Sequence, residues 1–240
     1  MSYVPKKASK IGVIVAARMG STRLPGKALL KIGKIPMIIL LLKRIQSVQK
    51  IHKLTLATTT LKQDDLLAEI VEENGFEVFR GSSADVVQRY VDVAILQDLD
   101  YVVRVTGDCP FVSGELIDYC LNYMNENYQF DLISTKGRFP IGLDCEIYSV
   151  KTMLKINELN YLSTEDREHL TLYIYKNPSH FHIIPVAPKK EWICEEIFTV
   201  DTFDDLKKAR EIYSHFGNYN FTLDALIGKV NENKIFKTFK

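Results

Sequence analysis

Ten consecutive residues near the start of the chain, Arg18-Met19-Gly20-Ser21-Thr22-Arg23-Leu24-Pro25-Gly26-Lys27, combine three cations, two hydroxyls and two glycines. They follow directly on residues 11–17, an apolar run with the length and branching of a β-strand. A loop at the C-terminal end of a strand can turn successive backbone N–H groups toward phosphate, with Arg supplying bidentate contacts and Lys a mobile point charge. A polyphosphate is the natural guest; the competing reading is a solvated basic loop. Two familiar phosphate loops are excluded. The Walker motif needs G-x-x-x-x-G-K-[ST], whereas Gly20 and Gly26 are one residue too far apart and Ala28 follows Lys27. G-x-G-x-x-G is absent from this turn, so neither a P-loop ATPase nor an NAD-dependent dehydrogenase is supported.

The elements that must carry this loop are legible as alternating patterns. Apolar, β-branched runs at 54–58, 76–79, 101–105 and 132–134 read as further strands. Helical periods occupy 36–48, 63–74, 83–96 and 115–123, the first opened by Pro36 and the second stopped by Gly75. Later in the chain, 145–150, 181–186 and 197–200 read as strands and 164–176 as one helix. This alternation predicts an α/β fold, a mostly parallel sheet with helices on both faces, whose ligands bind beyond the C-terminal ends of the strands. One domain is expected, with residues 1–130 as its nucleotide-binding part and 131–240 completing the sheet and binding the acceptor.

Charge is segregated along the chain. The totals, 31 Lys plus Arg against 30 Asp plus Glu, leave a net charge of +1, yet the first 53 residues hold 12 basic side chains and no acid. The first carboxylate is Asp64, and residues 54–240 carry 19 bases and 30 acids. An anion met by the N-terminal quarter is the simplest partner. At 46% hydrophobic and 25% charged residues, disorder is excluded. The longest apolar run, 37–42, is far short of the ~20 residues of a membrane span. Together with Ile45 and Val48 that run is apolar around much of a helix, which means either deep burial or a protomer interface. Residues 11–17 follow Lys6, Lys7 and Lys10, but they barely reach the length of a signal sequence and Arg18 follows at once, so secretion is not expected. The four cysteines include no C-x-x-C pair, which leaves a reducing cytoplasm as the expected compartment and no zinc or disulfide framework.

The stretch Ala17 to Lys27 closely resembles the triphosphate-binding loop of the cytidylyltransferases that activate acidic sugars as CMP derivatives, such as the 3-deoxy-manno-octulosonate and acylneuraminate enzymes. Within that superfamily the chain looks most like the spore coat polysaccharide biosynthesis protein F branch. The resemblance runs through Arg104-Val105-Thr106-Gly107-Asp108-Cys109-Pro110, Phe139-Pro140-Ile141-Gly142-Leu143-Asp144-Cys145-Glu146, Arg167-Glu168-His169-Leu170-Thr171 and Val200-Asp201-Thr202. It implies a Rossmann-like nucleotidyltransferase fold of the nucleotide-diphospho-sugar transferase type, and an attack by a sugar hydroxyl on the α-phosphate of CTP with loss of pyrophosphate. Expected partners are CTP and a sugar or sugar-acid acceptor, with no nucleic acid, no membrane and a homodimer as the common assembly of relatives.

By the same resemblance Arg18, Arg23 and Lys27 hold the phosphates and stabilise charge growing on pyrophosphate, with Ser21 and Thr22 as neutral donors and Ala16 and Ala17 at the loop's start. Asp108 and Asp201 are implied Mg²⁺ ligands, with Asp108 counted among the catalytic residues; hard oxygen donors beside phosphate suit that ion. The alternative for Asp108 is a tight Gly-Asp turn, and for Asp201 the N-cap of a following helix, a role Thr202 could equally take. Ala57, Thr58, Thr59, Arg80 and Ser82 occupy the positions that meet cytidine in relatives, although Ser82 or Ser83 could instead cap the next helix. Arg138, Asp144, Glu146, Glu168 and His169 fall in the acceptor motifs, and Arg138 and Arg167 are the candidate cations for an anionic sugar. The acidic pair Asp144 and Glu146 fits a carboxylated acceptor poorly. Two other classes compete: a glycosyltransferase using a nucleotide sugar, for which Asp98-Leu99-Asp100 matches D-x-D but precedes a strand, and a nucleotide-sensing module without catalysis.

Overall fold

Residues 9–124 and 129–232 are described by a computed structural model. Strand β1 (Ile11–Ala16) lies at the heart of the sheet because its branched side chains are buried on both faces, Val13 and Val15 in one apolar layer and Ile14 in the other. The chain then makes a short hairpin, β2 (Lys31–Ile32) and β3 (Ile35–Pro36), and helix α1 (Met37–Ile45). Next come β4 (Lys53–Thr59), α2 (Asp65–Glu73), β5 (Glu77–Gly81), α3 (Val86–Leu96), β6 (Tyr101–Thr106) and α4 (Gly114–Leu121). The second half adds β7 (Leu132–Ser134), β8 (Glu146–Ser149), α5 (Val150–Asn157), α6 (Thr164–Glu168), α7 (Leu172–Lys176) and β9 (Ile183–Pro185), then α8 (Phe203–Phe216) and α9 (Leu223–Asn231).

Seven strands form one sheet in the order β5-β4-β1-β6-β8-β7-β9. β5, β4, β1 and β6 run parallel, and β8 alone is reversed, antiparallel to both β6 and β7. The C-terminal ends of the four parallel strands therefore share one edge. Helices α1, α2, α4, α8 and α9 pack on one face and α3, α5 and α7 on the other. The run 37–42 is wholly buried inside the chain, as are Ile45 and Val48, which resolves it as core rather than interface. Arg44 is buried with it, donating to the carbonyls of Phe111, Tyr219 and Phe221 at 2.6 to 3.3 Å. Burial lowers its pKa to about 9. No helix among the described residues is long and apolar enough to cross a membrane.

Three local expectations are corrected. The single helix expected over 164–176 is two, because the backbone leaves the helical region at His169 (φ −109°, ψ 85°) after a Ser163–Asp166 capping box has opened α6. Residues 197–200 form no strand: single backbone bonds, Phe198 N–H to Ile141 O (2.7 Å) and Val200 N–H to Asp108 O (2.8 Å), replace a ladder. Neither Ser82 nor Ser83 caps α3. Asp85 does, accepting from Gln88 N–H at 2.8 Å, while Ser82 Oγ accepts from Asp85 N–H at 3.0 Å.

Candidate active site

The basic loop leaves the end of β1 and folds back on itself. Met19 O accepts from both Ser21 N–H (2.9 Å) and Gly26 N–H (3.2 Å), and Ser21 Oγ accepts from Leu24 N–H (3.3 Å). From outside, Asp64 Oδ1 accepts from Met19 N–H at 2.7 Å, and Ala57 O accepts from Ala17 N–H at 3.4 Å. Residues 17–27 are thus pre-shaped by backbone contacts before any ligand arrives, leaving their cations turned to one cleft of about 410 Å³.

Asp108 enters that cleft from the turn after β6. Gly107 makes the turn possible: its N–H donates to Ala16 O at 2.8 Å, and a Cβ there would sit 2.6 Å from the Ala17 Cβ. Asp201 arrives from the far end of the chain, on the segment that Asp108 O and Ile141 O hold in place. Thr202, not Asp201, is the N-cap of α8, exchanging capping-box bonds with Asp205. Asp201 therefore keeps its carboxylate for the cleft, which removes the competing capping role.

The two carboxylates converge on one cation. Lys27 Nζ lies 3.1 Å from Asp108 Oδ2, 2.8 Å from Asp201 Oδ1 and 3.0 Å from Val200 O. Arg23 adds a 2.9 Å contact to Asp201 Oδ1, and Arg18 reaches across the mouth to Glu168 Oε1 at 3.1 Å. Burial alone would raise the Asp108 carboxyl, but the Lys27 ammonium and a Thr106 hydrogen bond outweigh it and hold it below the ordinary value of 3.8. Among the described residues no three Asp, Glu, His or Cys side chains form a closed metal site. Two converging carboxylates instead make a half-shell that suits a hard divalent cation completing its coordination with phosphate oxygen and water.

The lining of the cleft includes Ala16, Ala17, Arg18, Ser21, Thr22, Arg23, Lys27, Asp108, Glu168, His169 and Asp201, all expected from sequence. Other expected residues lie outside that lining. Thr58 and Thr59 are buried, with the Thr59 hydroxyl donating to Asp64, and Ala57 is a core residue. Arg80 is engaged by Thr59 O, Leu61 O and Asp65. Arg138 is exposed away from the cleft, and Arg167 ties Asn157 and Leu159 to α6. Asp144 accepts from Gly142 N–H within its own turn, and burial raises its pKa. Glu146 is buried, bound by Arg104, Thr171 and Tyr175. Both members of the acidic pair are thus held by protein partners and lie outside the cleft lining, with Glu146 directly behind the cleft residue Arg104. Asp98-Leu99-Asp100 lies in the turn before β6, at the opposite end of that strand from Asp108, so it is no part of the site.

Two cleft residues, Arg89 on α3 and Arg104 on β6, were not singled out as ligands from sequence. For Arg104 the signal was present, a lone charge inside the apolar strand 101–105. Arg89 offered less, since an Arg in an amphipathic helix ordinarily reads as its wet side; here it is 3% exposed.

A four-strand parallel core with a basic loop after its first strand and paired carboxylates at the same edge defines an α/β nucleotidyltransferase. The chain belongs to the cytidylyltransferase family, whose model matches residues 12–230. It is 36% identical over 229 residues to an uncharacterized protein of Methanocaldococcus jannaschii, covering 95% of this chain and 93% of that one. It is 30% identical over 227 residues to the spore coat polysaccharide biosynthesis protein SpsF of Bacillus subtilis, covering 92% and 93%. Among solved structures, a cytidylyltransferase from Leptospira borgpetersenii superposes with a TM-score of 0.88 at 30% identity, over 97% of this chain and 99% of that one. A CMP-2-keto-3-deoxy-manno-octonic acid synthetase complexed with CTP shares the fold, with a TM-score of 0.68 at 19% identity over 87% and 100% of the two chains.

Proposed function

We propose that this protein is a Mg²⁺-dependent cytidylyltransferase that moves CMP from CTP to a hydroxyl of a sugar or sugar acid and releases pyrophosphate, in the making of a surface polysaccharide or glycoconjugate. The observation that carries the reading is the seat of Lys27, whose ammonium lies between Asp108 and Asp201 on the rim of a pre-shaped basic loop. That arrangement joins a polyphosphate cradle to a metal half-shell. The name of the Bacillus relative supports the polysaccharide setting, and the CTP-bound fold relative supports the nucleotide.

In the reaction, the acceptor hydroxyl releases its proton to solvent as its oxygen bonds to the α-phosphorus, the bond from that phosphorus to the bridging oxygen breaks, and pyrophosphate carries off the bonding electrons. The work is positioning and charge neutralisation. Arg18 and Arg23 hold the outer phosphates, Lys27 meets the charge growing on pyrophosphate, and the Ser21 and Thr22 hydroxyls donate to phosphate oxygens. Asp108 and Asp201 would hold Mg²⁺. When bound, that ion neutralises the α-phosphate and makes the attacking hydroxyl more acidic.

The test is pyrophosphate release from each nucleoside triphosphate with Mg²⁺ and a panel of neutral and acidic sugars. Release confined to CTP plus an acceptor is expected; sugar transfer from a nucleotide sugar without pyrophosphate would replace this reading with a glycosyltransferase.

A further inference from the structure

Each of the three loop cations assigned to phosphate is bound by a carboxylate of the chain itself. Lys27 meets Asp108 and Asp201, Arg23 meets Asp201 and Arg18 meets Glu168, at 2.8 to 3.1 Å. A triphosphate seated on the loop must compete with all of these contacts. Asp108 and Asp201 then have the metal position to turn to. Glu168 does not, because among the described residues no third Asp, Glu, His or Cys groups with that pair. It is the one other carboxylate of the cleft lining among the described residues, and so the one that nucleotide binding leaves without a partner.

The Arg18 contact is loose, while the backbone that carries Glu168 is not. Arg18 gives Glu168 a single bond, from Nη2 to Oε1 at 3.1 Å, and both side chains are close to half exposed, at 45% and 48%. An exposed ion pair of one bond is weak, whereas a phosphate offers a guanidinium two oxygens at once. The neighbouring Arg167 binds Asn157 Oδ1 at 2.6 Å, Asn157 O and Leu159 O at 3.1 Å and Asp85 at 3.3 Å, tying α6 to the end of α5 and the start of α3. On the other side Leu170 and Thr171 are buried, with the Thr171 hydroxyl on Glu146. The Glu168 carboxylate can therefore leave Arg18 by rotating its side chain, with α6 staying in place at the cleft mouth.

We propose that Glu168 stands in for a phosphate on Arg18, is displaced when CTP binds, and then positions the acceptor by accepting hydrogen bonds from its hydroxyls. The inference rests on the nucleotidyl-transfer reading above. A released carboxylate offers two acceptor oxygens, which match a pair of neighbouring hydroxyls on a sugar ring. Until CTP binds, Arg18 holds one of those oxygens, so the acceptor meets a finished site only with the nucleotide in place. Glu168 thus opposes one substrate and serves the other, a pair of opposite effects that a purely structural role does not produce.

The test uses Glu168→Gln, a nearly isosteric change at a half-exposed side chain that leaves the fold standing. Calorimetry with CTP and Mg²⁺, without a sugar, should show about 2- to 5-fold tighter binding than in the parent, the size of an exposed ion pair. The gain should shrink in about 0.5 M NaCl, where exposed charges are screened. In an Arg18→Met background, where Arg23 and Lys27 still hold the nucleotide, the same change should add nothing. With 3-deoxy-manno-octulosonate, or whichever sugar of the panel above supports pyrophosphate release, Glu168→Gln should raise the sugar KM about 10-fold and keep kcat within about threefold. CTP affinity that is unchanged or weakened, or a gain that persists without Arg18, overturns the inference by showing no exchange on that residue. A sugar KM unmoved by Glu168→Gln overturns the acceptor role. No binding of CTP by the parent, or no pyrophosphate with any sugar, overturns the transfer reading and this inference with it.

Discussion

Asp64 Oδ1 accepts a 2.7 Å hydrogen bond from the backbone N–H of Met19, so the first carboxylate of the sequence anchors the loop that carries three of the cations preceding it. The carboxylate is fully buried, and its second oxygen takes the hydroxyl of Thr59. The contact uses the backbone and leaves the Arg and Lys side chains to the ligand. Asp64→Ala should strand the Met19 N–H and lower kcat/KM for CTP by about 10- to 100-fold, whereas Asp64→Asn, which keeps an acceptor, should lose far less. Steady-state kinetics on the two variants at equal folded fraction decide it; equal losses would mean that charge, not loop anchoring, is what Asp64 supplies.

Lys27 is the hinge of the electrostatics. Lys27→Met should cut kcat by about 10²- to 10³-fold, as loss of a donor to developing charge commonly does. It should also leave Asp108 without its cation and Asp201 with Arg23 alone. In nucleotide-free protein, Mn²⁺ is therefore expected to raise the melting temperature of the variant by more than it raises that of the parent. Thermal melts with and without the metal measure this, and identical shifts would show that the two carboxylates do not share a cation position.

The depressed Asp108 carboxyl makes a prediction about acid stability. Because its folded pKa lies below 3.8, its contribution is full above that value and fades as pH falls through the lower folded value. Asp108→Asn should abolish turnover at neutral pH while keeping the fold. Its melting temperature should also fall less steeply than the parent's below about pH 4. Parallel slopes would mean that the pairing with Lys27 contributes nothing to the folded state.

Gly142 tests how Asp201 is placed. Its φ is +86°, and a Cβ there would lie 2.4 Å from Thr199 N and 2.6 Å from Phe198 C. Gly142→Ala should cost about 1–3 kcal/mol for the left-handed backbone alone and push the 198–201 segment away from Asp108. Activity is expected to fall further than stability, read as kcat at a temperature where the variant is still folded. Unchanged kcat in a destabilised variant would detach Gly142 from the site.

The parallel core was legible because 11–17, 54–58 and 101–105 are short apolar runs largely buried on both faces, a pattern helices do not mimic at that length, while 76–79 forms the half-buried edge strand beside them. The loop was legible because three cations cluster where such a sheet exposes its strand ends. What escaped depends on contacts between distant residues. Residues 197–200 have the composition of a strand, yet their backbone partners are single carbonyls on two different segments. The break at His169 follows from α6 ending one turn after its capping box, and nothing in 164–176 flags it by type. Glu146 looked like an acceptor ligand because a motif shows which residues occur together, not which partners each one has; in the fold its carboxylate is taken up by Arg104, Thr171 and Tyr175, residues distant in sequence.

The Val200 to Asp108 backbone bond has a consequence for how this enzyme is made. Lys27 and Asp201 are 174 positions apart, so during synthesis the loop and the first carboxylate emerge long before the second. Until 198–201 docks, Lys27 can neutralise Asp108 but the half-shell for a metal does not exist. A chain that ends before Asp201 therefore lacks one wall of the cleft and also the cover that α8 and α9 give to one face of the sheet, so the completed core and the completed cleft arrive together.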